Sequence, residues 1–182
     1  MNNQPLAIAQ IGEPILRVAA TAVDNFDCEN LKVFIDKMLA SMLEAGGVGI
    51  AAPQVFCPQQ IMIIASKPNA RYPNAPQMEP LVMLNPQIKA LHGQIYSDWE
   101  GCLSVPGIRG WVPRSQRVDV DYQDAQGNLQ SIALEGFVAR IFQHEHDHLV
   151  GLTFVDRVAD NQHLVAESVF KKILDGDISF QP

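Results

Sequence analysis

Two histidines four residues apart, His144 and His148, flank Glu145 in the stretch Gln143-His-Glu-His-Asp-His-Leu149. On a helix, positions four apart share a face, so the two imidazoles can hold one metal ion between them. Glu145 then stands beside the ion, placed to carry the proton of a water rather than to bind the cation. The pattern alone also fits two solvated histidines on an amphipathic helix. Against that, Phe137, Val138, Ile141, Phe142 and Leu149 make the surrounding run apolar enough to be buried. Charged and imidazole groups in such a run are costly unless something coordinates them. Metal-assisted hydrolysis is therefore the leading chemistry.

A catalytic metal site takes three protein ligands and leaves a position open for water. A His six residues beyond His148 would serve, but position 154 is Phe. Glu167 lies farther downstream, at a spacing that another class of metallopeptidase uses. Cys102, in Glu100-Gly-Cys-Leu-Ser104, is the other candidate, set in a glycine-flanked break between strands. A single Cys is most often a small buried hydrophobe, which is the reading for Cys28 and Cys57. Spacing leaves Glu167 and Cys102 both open.

The elements that must position these groups follow from periodicity. Apolar residues Leu31, Phe34, Ile35, Met38, Leu39, Met42 and Leu43 repeat at 3.6 and predict a helix over 29–45, capped by Asn25 or Asp27 and ended by Gly46-Gly47. The small-residue stretch Gly47–Gln54 lets backbone approach a strand or an extended ligand closely. Residues 60–65 read as a buried strand, and 66–80, with its prolines, as a surface loop. Strands are expected over 81–85 and 87–94, a break at 98–104, and an irregular path over 105–113. Residues 118–122 and 129–134 alternate as a hairpin about the turn 124–128. The motif helix spans 135–150 with Gly151 as its cap. A short strand over 152–156 and an amphipathic helix over 162–174 complete the chain. Strands followed by a central helix, without regular alternation, indicate an α+β fold with mixed and antiparallel strands around the His-Glu-x-x-His helix.

With 182 residues, the chain is long enough for one catalytic domain, 1–182, without staples. A net charge of −7 and the absence of any Lys or Arg cluster argue against a nucleic-acid-binding face. No apolar run reaches membrane-spanning length. The start, Met1-Asn-Asn-Gln-Pro5, lacks the charge and apolar core of a secretory signal, and three dispersed cysteines form no disulfide framework, so a cytoplasm is the expected compartment.

Three separated segments, Gly47-Val-Gly-Ile-Ala-Ala-Pro-Gln54, Glu100-Gly-Cys-Leu-Ser104 and Gln143-His-Glu-His-Asp-His-Leu-Val-Gly151, resemble the defining segments of peptide deformylases in order and form. The lead-in Ile11-Gly-Glu-Pro-Ile-Leu-Arg17 and the stretch Gly107-Ile-Arg-Gly-Trp-Val-Pro-Arg114 are similar to that family as well. The resemblance spans about residues 7–158, leaving a helix and tail over 160–182.

That resemblance implies removal of the N-terminal formyl group from formyl-methionyl nascent polypeptides, releasing formate. It implies Cys102, His144 and His148 as ligands of one divalent ion, with ferrous iron the family's usual choice and zinc or nickel able to replace it. Glu145 is then the general base and acid, and the Gln54 side-chain amide with the Leu103 backbone N–H are the donors to the developing oxyanion. Val48, Gly49 and Gly101 would hold the peptide like an added strand, with Val48 and His144 at the methionine pocket. Glu100 resembles a carboxylate that orients a ligand, and Arg109 is expected to pair with it or touch the peptide. His146 is expected to point away from the metal, Arg140 to make the pocket's far wall more polar, and His92 and His163 to lie on the surface. The implied enzyme is a monomer acting on nascent chains at the ribosome, without membrane or direct nucleic-acid contacts.

Overall fold

A computed structural model describes residues 5–26, 29–68, 72 and 74–181. Its centre is one antiparallel sheet ordered β1 (Gly49–Ala51), β2 (Ile61–Ile64), β3 (Leu81–Cys102), β4 (Val105–Gln123), β5 (Leu129–Glu135), with β6 (Leu164–Ala166) pairing β4 at its other end. Among the described residues three α-helices complete it: α1 (Glu29–Glu44), α2 (Gly136–Leu149) and α3 (Glu167–Leu174).

The layers follow from β2, whose continuous apolar run Ile-Met-Ile-Ile is fully buried. Successive side chains point to opposite faces. Ile61 and Ile63 pack with Leu31, Ile35, Met38 and Met42 of α1, while Met62 and Ile64 pack with Ala139, Ile141 and Phe142 of α2. The motif helix is thereby held against the sheet, with His144, Glu145 and His148 buried.

Several element boundaries differ from the sequence expectation. The two strands expected between 81 and 94 are one strand, with Pro86 inside a register shift between Leu84 and Gln87. The break expected at 98–104 shrinks to the two-residue turn at Leu103-Ser104. The path expected to be irregular over 105–113 is instead part of β4: Val105 and Gly110–Pro113 pair with β3 on either side of a register shift, and Ile108–Gly110 pair with β6. Pro113 falls between the segments covered by β6 and β5, where β4 has one ladder neighbour and a missing N–H is tolerated. Residues 154–157 form a 3-10 turn rather than a strand, closed by the Thr153 N–H donating to Asp156 Oδ2 at 2.8 Å. The last helix begins at Glu167, because 161–163 form a 3-10 turn and 164–166 join the sheet. The expected cap Asp27 and the core reading of Cys28 lie outside the described residues; Cys57 is half-buried.

Candidate metal centre

Two elements distant in sequence bring the chemistry together. Cys102 ends β3, and its Sγ lies 3.2 Å from His148 Nε2 of α2. One ligand atom each from Cys102, His144 and His148 falls within 4.8 Å of the others, and all three residues are buried. Around the sulfur, the Ser104 N–H points at 3.3 Å and the Gln54 amide Nε2 at 3.4 Å, an environment suited to a thiolate. Burial opposes ionisation of Cys102, yet His148 and His144 outweigh it and hold the thiol well below its ordinary pKa.

Glu100 fixes the other imidazole. Its Oε2 accepts from His144 Nδ1 at 2.8 Å, which leaves Nε2 free for the cluster. Glu100 also accepts two bonds from Arg114, at 2.9 and 3.0 Å, and one from Arg140 at 2.9 Å. Burial alone would raise its pKa; Arg114 and His144 instead hold it well below the usual carboxylate range. For His144, burial disfavours the charged ring, but Cys102 and Glu100 raise its pKa well above that of an ordinary imidazole. Metal binding displaces such a proton. One soft sulfur and two imidazoles, buried together and oriented from behind, suit a divalent zinc or iron ion.

Arg114 was not among the candidate residues from the sequence, although it shares the register of buried Val112 on β4. A cation on the buried face of a strand demands carboxylates, and Arg114 also donates to Asp147 of α2 at 2.6 Å. Arg157 closes on Asp147 from the other side at 2.6 Å. Arg114→Met is expected to cost about 3 kcal/mol or more by leaving buried carboxylates short of a partner. Its thermal midpoint should fall by roughly 10 °C, read by differential scanning calorimetry.

Arg109 does not pair with Glu100. Adjacent strand residues face opposite ways, so Glu100 turns to α2 while Gly101 turns to Arg109. Arg109 donates to Glu167 of α3 at 2.7 and 3.1 Å and to the Tyr72 hydroxyl at 3.2 Å. Glu167 is accordingly a partner of Arg109 and not one of the converging ligands, which removes it as the third. Arg140 is buried, donating to Glu100 and to the carbonyls of Val112 and Tyr96. His146 packs against the Phe142 ring, apart from the cluster. His92 is exposed beside Asp119, whereas His163 is half-buried against Phe180 rather than on the surface.

Glu145 faces a pocket that Val48, Gly49, Gln54, Gly101 and Leu103 also line. Its Oε2 is buried without a hydrogen-bond partner, and desolvation pushes its pKa up to about 7 against the opposing pull of His144 and His148. Gln54 is anchored by the Ala51 N–H donating to its Oε1 at 2.9 Å, so its amide NH2 points to Ser104 Oγ and the sulfur. β1 is the last strand of the sheet, and the Val48 carbonyl accepts from Ala65 toward β2. By alternation the Gly49 backbone groups face the open edge.

A strap of backbone ties the three motif segments together. The Ala9, Ile11 and Ala20 N–H groups donate to the carbonyls of Gln54, Ser104 and Leu149, at 2.8, 2.7 and 2.8 Å. Gly151, at φ +78°, lets the strap pass: a Cβ there would meet the Arg17 backbone at 2.9 Å.

The family model described as polypeptide deformylase matches residues 5–163. The chain is 49% identical over 174 residues to a peptide deformylase 2 of Nostoc sp., covering 96% of this chain and 97% of that one. It is 53% identical over 155 residues to a peptide deformylase 2 of Shewanella oneidensis, covering 85% of each. The Met-Ala-Ser-bound crystal structure of a class I type b peptide deformylase from Acinetobacter baumannii superposes with a TM-score of 0.84 at 45% identity, over 86% of this chain and 99% of that one. The actinonin complex of a Synechococcus elongatus peptide deformylase covers all of this chain, at a TM-score of 0.78 and 34% identity. Matched by the family model over most of its length and about half identical to relatives covered almost end to end, this chain belongs to the polypeptide deformylase family.

Proposed function

We propose that this protein removes the formyl group from polypeptides beginning with formyl-methionine, holding one divalent ion on Cys102, His144 and His148. The observation that carries the proposal is the buried meeting of one sulfur and two imidazoles beside Glu145, whose Oε2 has no hydrogen-bond partner among the described residues. When bound, such an ion acts as a Lewis acid and activates water near neutral pH. Glu145 receives the proton of the attacking water and returns it to the departing amine. The Gln54 amide and the Leu103 backbone N–H meet the charge that develops on the formyl oxygen. Gly49 on the open edge of β1 and Gly101 at the end of β3 bind the peptide through backbone, which makes recognition tolerant of sequence. Methionine enters the space bordered by Val48, Glu100, Ile141 and His144. Nascent chains are the proposed substrates, and ferrous iron the proposed native ion.

The test is formate release from formyl-Met-Ala-Ser by protein of measured metal content, prepared without oxygen. Turnover should scale with metal bound, decline in air and return on loading with nickel or cobalt. Protein loaded with one ion per chain that yields no formate would sink the proposal.

Gly49 supplies a sharper check. A Cβ at this position would collide with Glu145 Oε1 and lie 2.8 Å from Ile141 Cγ2. Gly49→Ala is expected to displace the carboxylate and lower kcat/KM by about 10²-fold. Metal content, read by elemental analysis, should stay unchanged.

A further inference from the structure

Trp99 is a pocket residue to which the proposed mechanism assigns no role. It stands two residues before Gly101 on β3 and lines the same pocket as His144 and Glu145. Its indole also meets three aromatic rings: Trp111 of β4 at 5.3 Å, Phe170 of α3 at 5.3 Å and Phe180 at 4.5 Å. Phe180 belongs to the segment after α3, in which residues 175–179 are exposed while Phe180 is half-buried. One ring therefore ties an otherwise solvated segment to a residue of the pocket. Phe170 and Phe180 both lie beyond the stretch 5–163 that the family model covers. Two of the three buttressing rings thus come from outside the family core.

Resting on the deformylase reading, we propose that Trp99 is a specificity-determining residue for the substrate's second residue, favouring an apolar side chain there. Phe180 is the positioning residue that holds the indole in place.

The assignment follows from strand alternation. The methionine space lies on the α2 side, where Glu100 points, so the next substrate residue projects to the opposite side. That side is the one on which Gly101 and Trp99 lie. A peptide whose formyl end is at Cys102 runs away from the metal ligands along β3 toward lower residue numbers. Its second residue therefore comes alongside position 99. An indole offers a flat apolar surface with little rotamer freedom, provided that its other contacts hold it still. Three aromatic neighbours do this, and Phe180 is the nearest of them.

The experiment compares formyl-Met-Leu-Ser with formyl-Met-Ala-Ser on the metal-loaded, full-length enzyme. The wild-type protein should prefer Leu by about fivefold in kcat/KM, through KM, as expected for a few carbons resting on an open apolar wall. Phe180→Ala should reduce that preference below about twofold by raising KM for the Leu peptide, with kcat nearly constant. Phe180→Tyr should restore it. Ile178→Ala, an exposed position in the same segment, should leave it intact. A wild-type ratio near one overturns the proposal. So does a Phe180→Ala variant that keeps the wild-type ratio, even if its melting temperature falls. Formate from neither peptide would overturn the deformylase reading, and this inference with it.

Discussion

Glu145→Gln is expected to lower formate release from formyl-Met-Ala-Ser by about 10³-fold, within the range set by loss of a general base. The substitution keeps the side chain's shape in a buried site and removes only its capacity to take up a proton. Its Oε2 has no hydrogen-bond partner among the described residues, so the amide breaks no structural bond at that atom. Metal content should remain at the wild-type level, because Glu145 lies outside the Cys102, His144 and His148 set. Elemental analysis with a formate dehydrogenase-coupled assay reads both quantities. Near-normal turnover by the Gln variant would remove Glu145 from proton transfer.

The second large effect is at the sulfur. Cys102→Ser replaces a thiol that the surrounding histidines hold well below its usual pKa with a hydroxyl that stays protonated. A soft anionic donor becomes a hard neutral one. Retained metal should fall to about a tenth of wild type or less after gel filtration, and activity should fall with it. Glu167→Gln should keep its metal, since that carboxylate is bonded to Arg109. The reverse result, metal kept by the Ser variant and lost by the Gln variant, would restore Glu167 as the third ligand.

How legible this site was in the sequence depended on whether its contacts were local. Helix α2 announced itself through its apolar flanks and the four-residue spacing that puts His144 and His148 on one face, with Glu145 beside them. The β4–β5 hairpin announced itself through alternation about Asp124. Choosing Cys102 over Glu167 was beyond spacing alone, and rested on the resemblance of three motif segments. The Glu100–Arg114–Asp147 network was not legible. It depends on how β4 lies across β3 and α2, which no local pattern records. The same holds for Arg109, whose partner comes from α3. Residues 105–113 misled for a different reason. Pro and Gly content marks a preference for turns in an isolated segment, and here ladders from β3 and β6 override it.

The backbone strap over residues 9–20 has a bearing on when the molecule becomes competent. Its amides clasp carbonyls of Gln54, Ser104 and Leu149, so a stretch made early by the ribosome waits for one made late. Contacts of such long sequence separation form slowly and reward folding only near its end. An enzyme that serves other newborn proteins would thus be idle through most of its own birth. A single proteolytic nick in that stretch would slacken all three sides of the reaction centre together.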